Sequence, residues 1–176
     1  MCLVNCFVKA RKEPRATTTT TTSSTTTTTL CTNVPTGTVV KGSLTASPGR
    51  FTYNATLGLN GANAACTANF PGSHPCTVSN LQSAPTTDLA CLTDTASIAV
   101  TTFWAIDPAA DPVTAQCFDD VLFNPMTQPG HNWEYATAHT ISRGQKLPLN
   151  NFNGTLGALQ TGLQCNGSTA WVGCCQ

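Results

Sequence analysis

Ten cysteines, at positions 2, 6, 31, 66, 76, 91, 117, 165, 174 and 175, constrain this 176-residue chain more than any other feature. Cysteine at this density serves either metal binding or cross-linking. Finger and ribbon zinc sites take two Cys-x2-Cys pairs, because two thiolates must reach one ion from a tight turn. No Cys-x2-Cys occurs here, and the spacings of Cys2 with Cys6 and of Cys66 with Cys76 find no second matching pair. The expectation is a disulfide framework made from Cys31, Cys66, Cys76, Cys91, Cys117, Cys165, Cys174 and Cys175, and hence an oxidising compartment. Spacing alone leaves the pairing of eight cysteines open.

Charge narrows the partners. Charged residues make up 9% of the chain, with eight basic and eight acidic, where about 25% is usual. This balance carries no electrostatic footprint for nucleic acid and no polybasic membrane patch. The run from Leu3 to Val8 is too short to be a transmembrane segment. Residues 1–16 hold four basic residues against Glu13, but the apolar run precedes them, the reverse of a secretory signal. The reading is a mis-started or truncated frame from which the export signal is missing.

Residues 17–29 are eleven threonines and two serines. Such a run has no apolar face to bury, so nothing offsets the entropy of ordering it. Residues 1–29 are therefore expected to be a disordered basic segment and Thr-rich linker, open to O-glycosylation. A globular domain is expected over 30–176.

Within that domain, Thr38 to Ala46 and Arg50 to Thr56 read as short strands around a Ser47-Pro48-Gly49 turn. Gly61 to Asn69 reads as a helix ended by Pro71-Gly72, and a second helix is capped by Thr77 or Ser79. Ala96 to Ile106 is the most β-rich stretch. Residues 107–132, with Pro108, Pro112, Pro125 and Pro129, predict a long irregular region, the kind of loop that carries function. Trp133 to Ile141 reads as a strand. Asn153-Gly154 is a hairpin signal, and Leu159 to Cys165 with Thr169 to Cys175 reads as a closing hairpin through Asn166-Gly167. Together these give an α+β class.

The segment Gly58-Leu59-Asn60-Gly61-Ala62-Asn63-Ala64-Ala65-Cys66 resembles the Gly-Leu-x-Gly-Ala-Asp-x-x-Cys opening of a bacterial secreted-domain family with an endostatin-like variant of the C-type lectin fold. Asn63 stands where Asp is usual. In residue terms the two glycines permit a sharp turn, Ala62 and Ala65 permit close packing, and Asn63 can cap the first turn. Gln128-Pro129-Gly130-His131-Asn132-Trp133 is similar to the Gln-Pro-Asp then Asn-Trp segment of calcium-dependent lectins, with Gly130 in place of the carboxylate. The resemblance implies a disulfide-stapled C-type-lectin-like (endostatin-like) domain at a bacterial cell surface. It also implies a bridge from Cys66 to Cys174 or Cys175.

Its implied function is non-catalytic binding of an extracellular glycan or protein. Gln128, Asn132, Trp133 and Glu134 combine amide and carboxylate hydrogen bonding with an aromatic face, as a sugar requires, and Tyr135 beside them offers a second ring. Trp133 has a rival reading as a core residue. The loss of a carboxylate at Gly130 points to binding without a cofactor, calcium-independent or at most weakly calcium-assisted, with Asp119 and Asp120 as the carboxylates a calcium ion would take. Two alternatives stand beside it. One is a hydrolytic or metal-assisted enzyme using His131, His139, Glu134 and Asp119 or Asp120; the other is a structural surface protein. No Gly-x-Ser-x-Gly elbow or P-loop is present.

Overall fold

Cys174 and Cys175 end the chain's last strand, and adjacent residues of a strand face opposite sides. Cys174 pairs with Cys66 and Cys175 with Cys76, so one strand is stapled to two different layers. The computed structural model describes residues 37–136 and 140–176. Residues 1–36, with the expected linker and Cys31, and residues 137–139, with His139, lie outside the described residues. The third bridge joins Cys117 to Cys165, and Cys91 is disulfide-bonded as well. Seven of the eight cysteines expected in the framework, all those among the described residues, are therefore bonded, and of the two expected partners of Cys66 it is Cys174 that takes the bridge. Such bonds form and persist in an oxidising, extracytoplasmic environment.

The architecture is α+β. Strands β1 (Val40–Ser43), β2 (Ser47–Pro48), β3 (Thr52–Tyr53) and β4 (Thr56–Leu57) lead into helix α1 (Gly58–Asn69). Then come β5 (His74–Pro75), α2 (Val78–Ser83), α3 (Thr86–Leu89), β6 (Thr102–Trp104) and α4 (Pro112–Ala115). The chain closes with β7 (Arg143–Asn150), β8 (Thr155–Leu156), β9 (Gln160–Gln164), β10 (Thr169–Ala170) and β11 (Gly173–Cys175). β11 lies between β1 and β5, antiparallel to both. β7 pairs antiparallel with β6, β8 and β9. The C-terminal segment joins the two sheets, since Trp104 N donates to Trp171 O and Trp171 N to Thr102 O.

Two apolar clusters follow. One gathers Phe51, Cys66, Trp104, Trp133, Tyr135 and Cys174; the other gathers Val40, Leu81, Leu92, Phe103, Leu147 and Cys175. The adjacent cysteines thus each anchor a different half of the core.

Several elements depart from the sequence expectations, each for a local reason. α1 begins at Gly58, with Leu57 as an N-cap that makes no side-chain bond. Asn63 is exposed inside the helix and does not cap it. α2 is capped by Thr77 as expected, in a reciprocal box with Asn80. The strand over Ala96 to Ile106 shrinks to β6, because Ser97 adopts φ 63° and the Asp94 carboxylate accepts from Ala96 N and Ile98 N. Trp133 does not open a strand: its φ is 65°, its N–H donates to Gln116 O and its carbonyl accepts from Phe51 N. The expected closing hairpin is divided, since β9 pairs with β7, β10 with β2, and β11 with β1. Strand β7 lies where the sequence predicts no strand.

Asp88 ties α3 to the start of β1. Its Oδ2 accepts from Val39 N at 2.7 Å, Val40 N at 3.1 Å and Thr38 Oγ1 at 3.3 Å. Burial pushes its carboxyl up, but these bonds outweigh that and hold it below the ordinary 3.8. A depressed pKa stabilises the fold fully above the ordinary value and loses that contribution as the pH falls through the folded value. Urea titrations from about pH 7 to about pH 2 should show this loss, and Asp88→Asn should lower stability at neutral pH and flatten the acidic limb. An unchanged acidic limb in Asp88→Asn would show that other carboxylates govern it.

The bridge from Cys66 to Cys174 closes a loop with a sequence separation of 108. In the chain-entropy model a loop of about a hundred residues is worth roughly 4.7 kcal/mol. The double variant Cys66→Ala/Cys174→Ala should lose stability of that order in equilibrium denaturation. A loss under about 1 kcal/mol would mean that packing alone holds α1 to β11.

Candidate functional site

The segment from Gly49 to Tyr53 is held from both sides. Gly49 N donates to Cys165 O at 2.9 Å and Phe51 N to Trp133 O at 3.0 Å. Gly49 sits on the bridge from Cys117 to Cys165, where a β-carbon would lie 2.3 Å from Cys117 Sγ, so only glycine fits. The hairpin from β3 to β4 turns through Asn54 and Ala55 at φ 47° and 63°, the conformation of a type I′ turn. α1 packs onto it so closely that a β-carbon on Gly61 would lie 2.3 Å from Thr56 O.

This arrangement leaves a cavity of about 330 Å³ between the hairpin, α1 and the Leu44 to Ser47 segment. Phe51, Ala62, Ala65 and Val172 form its buried apolar floor, and the exposed residues Thr45, Thr52, Asn69 and Thr95 surround it. Arg50 lines this cavity and also a second one, of about 240 Å³, with Pro48, Tyr135 and Asn166. Burial pushes the Tyr135 hydroxyl up to about 12, against the opposing pull of the Arg50 charge.

The residues expected to bind ligand are distributed differently. Trp133 is fully buried, stacked on Phe51 at 4.7 Å and edge-on to Trp104 at 5.4 Å. Both neighbours belong to the core, so this ring is not a stacking surface for a ligand; the core reading of Trp133 holds. Gln128 is exposed, and its Oε1 accepts from Asn124 N within its own turn. Asn132 and Glu134 lie together over the start of α1, where a β-carbon on Gly58 would fall 2.7 Å from Asn132 O and 2.6 Å from Glu134 Cγ. Trp133 therefore points into the core while its two neighbours cover Gly58, which at φ 63° favours glycine for a second reason.

The candidate catalytic and metal residues are partly brought together. His131 Nδ1 and Glu134 Oε2 are 2.7 Å apart, and the imidazole stacks on Phe123 at 4.2 Å. This is an oriented imidazole, half-exposed at the surface. The Asp119 carboxylate is buried and structural, accepting from Val121 N, Leu122 N and Ala136 N, while Asp120 is exposed. Among the described residues no three His, Cys, Asp or Glu side chains are grouped to hold a metal. No described helix is long and apolar enough to cross a membrane.

Truncation separates the core from the surface role. Trp133→Ala should cost about 3–5 kcal/mol, as for other buried aromatics, measured by equilibrium denaturation. A loss below about 1 kcal/mol would contradict the stacking of Trp133 between Phe51 and Trp104 in the core. No known family model, characterised protein or solved structure matches the chain.

Proposed function

We propose that the domain is a non-catalytic extracellular binding module that recognises a glycan or a protein, and that its ligand seat is the cavity beside Arg50. The specific C-type-lectin-like assignment belongs to the same proposal; it is supported by the Gly58 to Cys66 segment, which forms α1, and by the bridge from Cys66 to Cys174. One observation carries the reading. An apolar floor of Phe51, Ala62, Ala65 and Val172 lies beneath exposed hydroxyl and amide groups, on backbone pinned beside a disulfide. Sugars present an apolar face and a rim of hydroxyls, and small-ligand seats combine apolar walls with a few placed polar groups. A volume near 330 Å³ sits at the lower end of such sites, which run from about 300 to 1,000 Å³. Recognition by a loop and hairpin on a rigid scaffold is common.

The test is a glycan array and an extracellular-protein array probed with the disulfide-intact chain and with Asn69→Trp and Thr52→Trp. Both substitutions lie at exposed positions of the cavity. They should remove binding by tenfold or more while leaving Tm within a few degrees of the parent. Binding that survives both variants would put the ligand elsewhere, and no retention on either array would end the binding-module reading.

A further inference from the structure

We infer that Arg50 is an anion hook and that the ligand of this cavity is an acidic glycan, a sugar bearing a carboxylate or a sulfate; this rests on the glycan reading given above. After residue 36 the chain has four cationic side chains against seven carboxylates. Three of those cations are satisfied by the protein. Lys41 Nζ donates to Gly37 O at 2.8 Å, Lys146 Nζ to Thr169 O at 2.7 Å and Arg143 Nη1 to Thr140 O at 3.2 Å. Arg50 is the exception. Among the described residues no acceptor meets its buried Nε, and the one ion pair there is between His131 and Glu134.

A guanidinium cannot lose its proton to relieve burial, and it presents its N–H groups in a fixed fork. With its Nε buried and unmet, the guanidinium is held at that atom without a protein acceptor among the described residues, so an oxygen that reaches the fork from a cavity it lines gains more than it would at a solvated cation. Carboxylate and sulfate oxygens match the fork. The position matters as much as the charge. Arg50 lines both cavities, with Tyr53 and Asn69 in the first and Tyr135 and Asn166 in the second. Two small seats sharing one cation fit neighbouring rings of an oligosaccharide with the anionic substituent over Arg50. An acidic peptide would ask for several cations, whereas the remainder of the lining is hydroxyl, amide and apolar.

The experiment is isothermal titration calorimetry of the disulfide-intact chain with three oligosaccharides of equal length. These are a polyuronate, its carboxyl-reduced neutral form and a sulfated neutral form; a polyglutamate peptide is the fourth probe. At least one anionic sugar should bind tenfold or more tighter than the neutral one, and which of them does so identifies the anion. Arg50→Gln should abolish that difference and Arg50→Lys should keep part of it. Because the parent leaves Nε unpartnered, Tm of Arg50→Gln should equal or exceed that of the parent. Equal affinity for charged and neutral sugars, or a preference unchanged in Arg50→Gln, overturns the hook and leaves the glycan module standing. An Arg50-dependent response to polyglutamate alone overturns the glycan class. A large fall in Tm for Arg50→Gln assigns the residue to structure and overturns the proposal. A parent chain that binds no glycan on the array ends the reading on which the proposal rests.

Discussion

Two adjacent cysteines on a central strand hold the domain together. Cys174 and Cys175 face opposite sides of β11 and cannot serve one layer. Cys174 reaches back to α1, and Cys175 to the residue before the cap of α2. Each bridge spans most of the domain, with sequence separations of 108 and 99, so each removes a large share of the unfolded chain's freedom. The β-elements would be marginal without them. Many are two residues long, well below the usual strand length. Cross-links and side-chain bonds such as those of Asp88 and Asp94 replace the ladder hydrogen bonds that longer strands would supply.

The third bridge shapes the site. Cys117 and Cys165 are enclosed by Gly49 on one side and Gly144 on the other, and a β-carbon on Gly144 would lie 2.7 Å from Cys117 Sγ. The same crowding brings Gly49 against the Cys165 carbonyl and so sets the backbone on which Arg50 stands. Lys146, one turn of the pleat beyond Gly144, is buried over the Trp104 ring at 4.6 Å, and burial lowers its pKa. A cation, a tryptophan and a disulfide therefore pack together beneath β2 and β10.

What the sequence made legible was local chemistry. Gly58 and Gly61 marked the tight entry to α1, Thr77 marked a cap, and Asn153-Gly154 marked the turn between β7 and β8. The strand β7 was illegible because Gly144, Lys146 and Pro148 each argue against a strand when read alone. All three are explained by tertiary neighbours: a disulfide, an indole face, and the pairing with Thr102. The site was half legible. For Trp133 the sequence leaves a ligand-facing and a core reading side by side, because a tryptophan beside amides looks the same in either role, and burial decides for the core. Arg50 passed as the first residue of a strand. A faint signal existed, since it is the one arginine between residues 16 and 142, following a Pro-Gly turn in a chain poor in charge.

The departures from ideal packing gather at one place. Trp133 holds a left-handed backbone, a conformation that costs a bulky residue of order 1–3 kcal/mol, and its indole Nε1 has no acceptor among the described residues. Arg50 Nε is a second unmet donor, and the hydrogen bond from Phe51 N to Trp133 O links the two segments. Local costs of this kind persist only where the surroundings over-determine them, and in natural proteins they concentrate at functional positions. Here the surroundings are the bridge from Cys117 to Cys165, the stack of Phe51 on Trp133 and the backbone bond from Gly49 to Cys165. A cavity this small offers little apolar area to a ligand, so affinity depends on how little must be ordered when the ligand arrives. Backbone fixed on both sides of Arg50 meets that condition: the cost of ordering the segment is borne when the disulfides form.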